Sequence, residues 1–242
     1  MLESKSIFSI SLVLFVCGGL ILAGTSCKTA TLSPKFQHFG ADVEFEGAFL
    51  GVPTGTYEGD FNYAALGLEF AWEASPDIEL FGDLGYAAAE EESLDVGIAG
   101  SEIGFGIRSP DPAEPGWGVD WEVRLHSHYM ENDETIAGVR YDNEFVGGGS
   151  DLNVGVRHAF DFERGLLVVA STGIWIKTLD GEWTADLVGT EVLDIDYEFE
   201  AGALYAGIAL TSTEEEGVDL SAHYYQGNDD LRGVIVSAGF KF

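Results

Sequence analysis

The chain ends LRGVIVSAGFKF, residues 231–242. Side chains alternate between the two faces of an extended chain. Arg232, Val234, Val236, Ala238, Phe240 and Phe242 therefore share one side, and Gly233, Ile235, Ser237, Gly239 and Lys241 share the other. The first side is apolar and aromatic up to the terminal carboxylate. In water, a closing strand with such a face is an edge that invites aggregation. Against lipid it is stable, so this stretch predicts an all-β chain in a membrane.

The ending resembles the C-terminal strand of bacterial outer-membrane β-barrels, on Val234, Val236, Phe240 and Phe242. The resemblance, to small porin-like and opacity-like barrels in general form, implies an antiparallel up-and-down transmembrane β-barrel and a bacterial outer-membrane address. It also implies outer-membrane lipid and the barrel-assembly machinery as partners, with Phe240 and Phe242 as the assembly signal.

The start of the chain agrees with its end. Glu3 and Lys5 precede an apolar run from Ile7 to Leu22, followed by Ala23, Gly24, Thr25 and Ser26, the layout of a secretory signal over residues 1–26. Gly18 and Gly19 interrupt the run, which is short of the roughly 20 apolar residues a spanning helix needs. Gly24-Thr25-Ser26-Cys27 resembles a lipoprotein cleavage box, with Gly24 where an aliphatic residue is usual, so Cys27 is a candidate for lipidation. Cys17 lies within the signal, which leaves no pair for an intramolecular disulfide. Residues 27–37 then read as a short periplasmic segment and 38–242 as the barrel.

Beyond the signal the apolar residues are dispersed in alternation, which is how barrel strands are written. Ten such runs separate at turn-forming residues, with eight as the count if strand three or nine is misread. The clearest sets Trp117, Val119, Trp121, Val123 and Leu125 against Asp120, Glu122, Arg124, His126 and His128. Near Gly100 the pattern changes phase, and a bulge is expected there. Turns near Asp133 and Asp180 belong to the extracellular end, and both termini to the periplasmic end.

If every apolar face meets lipid, the opposite faces line the lumen. Those faces carry Asp42, Glu44, Glu46, Glu69, Glu79, Asp83, Asp120, Glu122, Asp194, Asp196, Glu198 and Glu200, with His126, His128 and His223. The bases expected beside them are chiefly Arg124, Arg157 and Lys241. The formal charge of −31 excludes nucleic-acid binding. An acidic lumen favours cations, so one reading is a small cation-favouring pore. The alternative is a non-conducting structural or surface-binding barrel that acts through acidic extracellular loops.

His126 and His128 also have the spacing to share a metal with Glu122 or Asp120, but a polar interior ladder with Arg124 is the plainer expectation. Asp229, Asp230 and His223 resemble the rim set of ten-stranded outer-membrane proteases, without that family's surrounding motif. A soluble lipocalin-like barrel would turn the apolar faces inward and the acids outward. No enzymatic activity, cofactor or metal is expected.

Overall fold

The computed structural model describes residues 30–242 except 50–51, 92–95, 137–138, 164, 188–189, 215 and 229. The signal segment, Cys27 and Asp229 lie outside the described residues, as do the side chains of Glu44 and Glu46. Ten antiparallel strands follow in order: β1 (Ala30–Phe49), β2 (Val52–Ser75), β3 (Ile78–Glu91), β4 (Val96–Arg108), β5 (Gly116–Ile136), β6 (Val139–Glu163), β7 (Leu166–Leu187), β8 (Thr190–Ser212), β9 (Gly217–Gly227) and β10 (Arg232–Lys241). Each pairs with the next, and β1 pairs with β10 to close the barrel. The two ends of the chain are tied together by Ala30 and Phe242, whose backbone groups exchange bonds of 3.2 and 3.0 Å. Closure removes the sheet edges and lets amides at membrane depth pair within the wall.

The wall starts earlier than the expected residue 38. From Ala30 onward the segment read as periplasmic is strand, with Thr31, Ser33 and Gln37 buried inward and Leu32 and Phe36 exposed outward. Pro34 disguised it. Proline has no N–H to give, and the β1–β10 register passes over Ser33 and Pro34.

Around the barrel, Leu66, Leu68, Leu84, Phe105, Leu125, Val154, Val156, Ile174, Leu204, Ile208, Val236 and Phe240 face outward at 43–70% exposure. So continuous a greasy band is not a surface that water tolerates; it is the lipid face of a membrane barrel. The soluble alternative is thereby overturned at this level.

Several strands continue well past the band. β6 has 25 residues and β2 has 24, against roughly 9–11 for a bilayer crossing. Asp133 and Asp180, where turns are expected, sit instead within β5 and β7, exposed.

In this projecting part the chemistry of the two faces exchanges while the facing of the backbone does not. Along β1 the inward series runs Thr31, Ser33, Lys35, Gln37 and then Phe39 and Ala41. Along β8 the inward series is Tyr205, Ala203, Ala201, Phe199 and Ile195, while outward Leu204 gives way to Glu200, Glu198 and Asp196. β4 does the same. Glu102 and Ile98 are both buried inward, and neither the β3–β4 nor the β4–β5 register shifts. The bulge expected near Gly100 is absent; its signal was this exchange.

The wall also narrows. β9 and β10 are the shortest strands, and their turn ends on Leu231, fully buried. Above it β1 pairs directly with β8, Phe45 to Phe49 against Tyr197 to Leu193.

Candidate functional site

The polar interior at membrane depth is organised by Arg124. Its flat guanidinium presents donors in several directions, which suits it to gather carboxylates from different strands. Nε and Nη2 donate to Asp83 on β3 at 2.9 and 2.6 Å, Nη1 donates to Asp151 on β6 at 3.1 Å, and Nη2 also donates to Glu102 on β4. Lys177 on β7 donates to the other oxygen of Asp151 at 3.0 Å. Gln37 on β1 donates to Glu102 at 3.1 Å.

A second chain crosses this layer. Lys177 Nζ lies 3.4 Å from His126 Nε2, His126 Nδ1 lies 2.7 Å from His128 Nε2, and His128 Nδ1 lies 3.2 Å from the Tyr63 hydroxyl. Tyr63 then donates to Glu102 at 2.5 Å. An ammonium only donates and a carboxylate only accepts, so the ends fix the direction: each imidazole donates once toward Glu102 and accepts once from the side of Lys177. His126 and His128 thus form the polar ladder, their ring nitrogens turned to one another and to Tyr63 and Lys177.

Seven of the ten strands contribute to the layer, and its members are nearly dry: Arg124, Glu102 and His128 are each 2% exposed and Lys177 is 3% exposed. Buried charges persist only when paired and hydrogen-bonded. Here the pairing is dense.

Above the layer the interior is filled by hydrocarbon. Phe39 stacks on Tyr63 at 4.8 Å and Phe145 meets Trp183 edge-on at 6.4 Å, while Trp175, two residues nearer the termini than Lys177, tilts against Tyr225 at 4.4 Å at the level of the layer itself. Phe199, Leu179, Met130, Ile195 and Leu231 complete this cluster. Lys177 joins the two tiers, its ammonium 4.8 Å above the Phe39 ring.

On the terminal side of the layer stand two smaller ion clusters. Arg108 holds Glu69 at 2.7 Å and Glu79 at 2.5 Å, and Lys35 reaches Glu69 at 3.3 Å. Lys241 holds Asp219 at 3.1 Å, close to the barrel mouth.

Of the residues assigned to the lumen, Glu69, Glu79, Asp83, Asp120, Glu122, Arg124, His126, His128 and His223 do point inward. Asp42, Asp196, Glu198 and Glu200 do not: they are exposed on the outer face, and Asp194 shares their side of β8. These acids lie above the bilayer, where the outer face meets water and the apolar residues opposite them bury themselves. Their assignment assumed lipid along the whole strand.

The interior is consequently far less acidic than expected. Lys35, Arg108 and Lys177 join the expected Arg124, Arg157 and Lys241. Lys35 was legible from its alternation with Ser33 and Gln37. Lys177 was hidden by Trp175, Ile174 and Ile176 around it.

His223 lies inward on β9, 6.1 Å from the Tyr205 ring, whereas Asp230 is exposed at the β9–β10 turn and 3.6 Å from Arg232. The pair is not brought together.

No protein-family model and no curated protein matches the chain. Among solved structures it is similar to the translocator domain of autotransporter NalP from Neisseria meningitidis, with a TM-score of 0.51, 10% identity, and 99% of this chain and 97% of that one covered. The beta domain of the Bordetella autotransporter BrkA gives a TM-score of 0.41 at 12% identity, covering 87% and 98%. The outer membrane protease OmpT from Escherichia coli gives 0.38 at 9%, covering 88% and 96%.

Proposed function

We propose that this chain is a bacterial outer-membrane β-barrel, non-conducting because its interior is packed from strand to strand, whose task lies in its extracellular projection. The observation that carries this is the two-tier filling: the Arg124 and Lys177 ion layer, nearly dry, and directly above it the Phe39, Phe145 and Trp183 cluster. A hydrated ion cannot pass hydrocarbon packed to the wall. The excess of acid stands on the outside of the projection, at Asp42, Asp60, Glu90, Asp180, Glu198 and Glu200 among others. The projection is strand, not loop, so it offers a basic partner a preordered acidic surface at little entropic cost. Phe240 and Phe242, exposed on the outer side of the last strand, stand where an assembly machinery would read it.

In a planar bilayer under a salt gradient, the refolded mature protein is expected to give no steps. Glu198→Gln is expected to leave that silence unchanged, since Glu198 faces water outside the wall. Steady cation-preferring steps from the wild type would overturn the proposal and restore the pore.

A further inference from the structure

A polar cavity of about 160 Å³ lies on the terminal side of the Arg124 layer. By volume it has room for about five waters. Two of its walls carry opposite charge that the ion network leaves partly unspent. On β6, Arg157 Nη1 donates to Ser109 Oγ at 3.4 Å, and among the described residues no carboxylate comes within ion-pair distance of it. On β5, Glu122 meets Arg108 at 3.8 Å, the long end of ion-pair distance, and Asp120 accepts the Tyr205 hydroxyl at 2.8 Å and has no base within ion-pair distance among the described residues. Asn153 on β6, opposite Glu122, carries a buried side-chain oxygen with no partner among the described residues. Lys35, Arg108, Glu69 and Glu79 pair with one another along one part of the same cavity. Arg157 and Asp120 line another part without an ion pair among the described residues.

We propose that this cavity is a binding site for a small zwitterion of amino-acid size, entering from the side of the termini. Arg157 takes the carboxylate, in the forked geometry for which a guanidinium is suited. Glu122 and Asp120, two apart on one face of β5, take the ammonium. The ligand supplies Arg157 and Asp120 with the counter-charge that the barrel withholds and adds a second, closer one to Glu122, and the ion layer above prevents its passage onward. The β4–β5 turn stands at the entrance: Pro110 is buried, and Asp111 lies 3.3 Å from the hydroxyl of Thr211 on β8, which donates to Asp219 at 2.6 Å.

The test is a thermal-shift and calorimetric titration of the refolded full barrel in detergent with glycine and L-alanine, with acetate and ethylammonium as single-charge controls. Millimolar zwitterion is expected to raise Tm, because a ligand that binds the folded state stabilises it. Neither control should match it. Arg157→Gln and Glu122→Gln should each weaken binding by about ten- to a hundredfold, the worth of one charge-assisted hydrogen bond. Both variants leave the Arg124 layer intact and should melt as the unliganded wild type does. No shift with either zwitterion, an equal shift with ethylammonium, or binding that survives Arg157→Gln would overturn the assignment. Silence or conduction in the bilayer experiment bears on the tier above and leaves this result to stand by itself.

Discussion

Arg124→Leu is expected to cost the folded barrel about 3–5 kcal/mol or more, the range for removing one partner of a buried ion pair. Three carboxylates depend on that guanidinium, from β3, β4 and β6. Lys177 is left to serve Asp151, and Gln37 and Tyr63 to serve Glu102. Asp83 is left without its base. The measurement is the denaturant or thermal midpoint of the refolded protein in detergent or lipid. Combining Arg124→Leu with Asp83→Asn should recover part of the loss, because the penalty is an uncompensated charge and not missing volume. A midpoint equal to the wild type would show that water reaches the layer, and with it that the barrel is not closed there.

Gly173→Val is expected to destabilise the barrel by overpacking, at about 1–3 kcal/mol, and to detach Tyr205 from Asp120. Gly173 on β7 pairs with Gly155 on β6 and with Tyr205 on β8. The Tyr205 ring lies across both glycines to place its hydroxyl 2.8 Å from Asp120 on β5, a reach over two intervening strands. A Cβ at Gly173 would stand 2.5 Å from the Gly155 Cα and 2.7 Å from the Tyr205 ring. Tyr205→Phe, which removes only the hydrogen bond, should cost about 1 kcal/mol. Comparison of the two midpoints separates the steric effect from the polar one. Equal losses in the two variants would mean that the ring does not rest on the glycines.

The closing strand was fully legible because β10 is about one bilayer crossing in length, and the last side chains of its outer face, Val236, Phe240 and Phe242, all meet an apolar or interfacial medium. The rule that apolar means outward held for it, and for β5 as far as Leu125. It failed for Phe39, Phe199, Glu198 and Glu200, where the same alternation continued into water and its meaning reversed. A period of two says which residues share a face; it does not say which solvent that face meets. The Arg124 layer was partly legible, since Arg124, His126 and His128 alternate cleanly against Val123 and Leu125. Its partners Asp151 and Lys177 come from other hairpins, and only the register brings them together. Gln37 was missed with the rest of the early wall because Pro34 hid the strand.

The exchange of faces along the strands also divides the forces that hold the barrel. At membrane depth its apolar residues leave water for acyl chains, so that tier stands or falls with the lipid or detergent around it. The Phe39, Phe145 and Trp183 tier leaves water for its own interior, as the core of any soluble domain does. It carries the ordinary heat-capacity signature of burial within protein. Urea should loosen the projection while the bilayer still shelters the belt, and thinning the lipid should strain the belt while the projection keeps its fold.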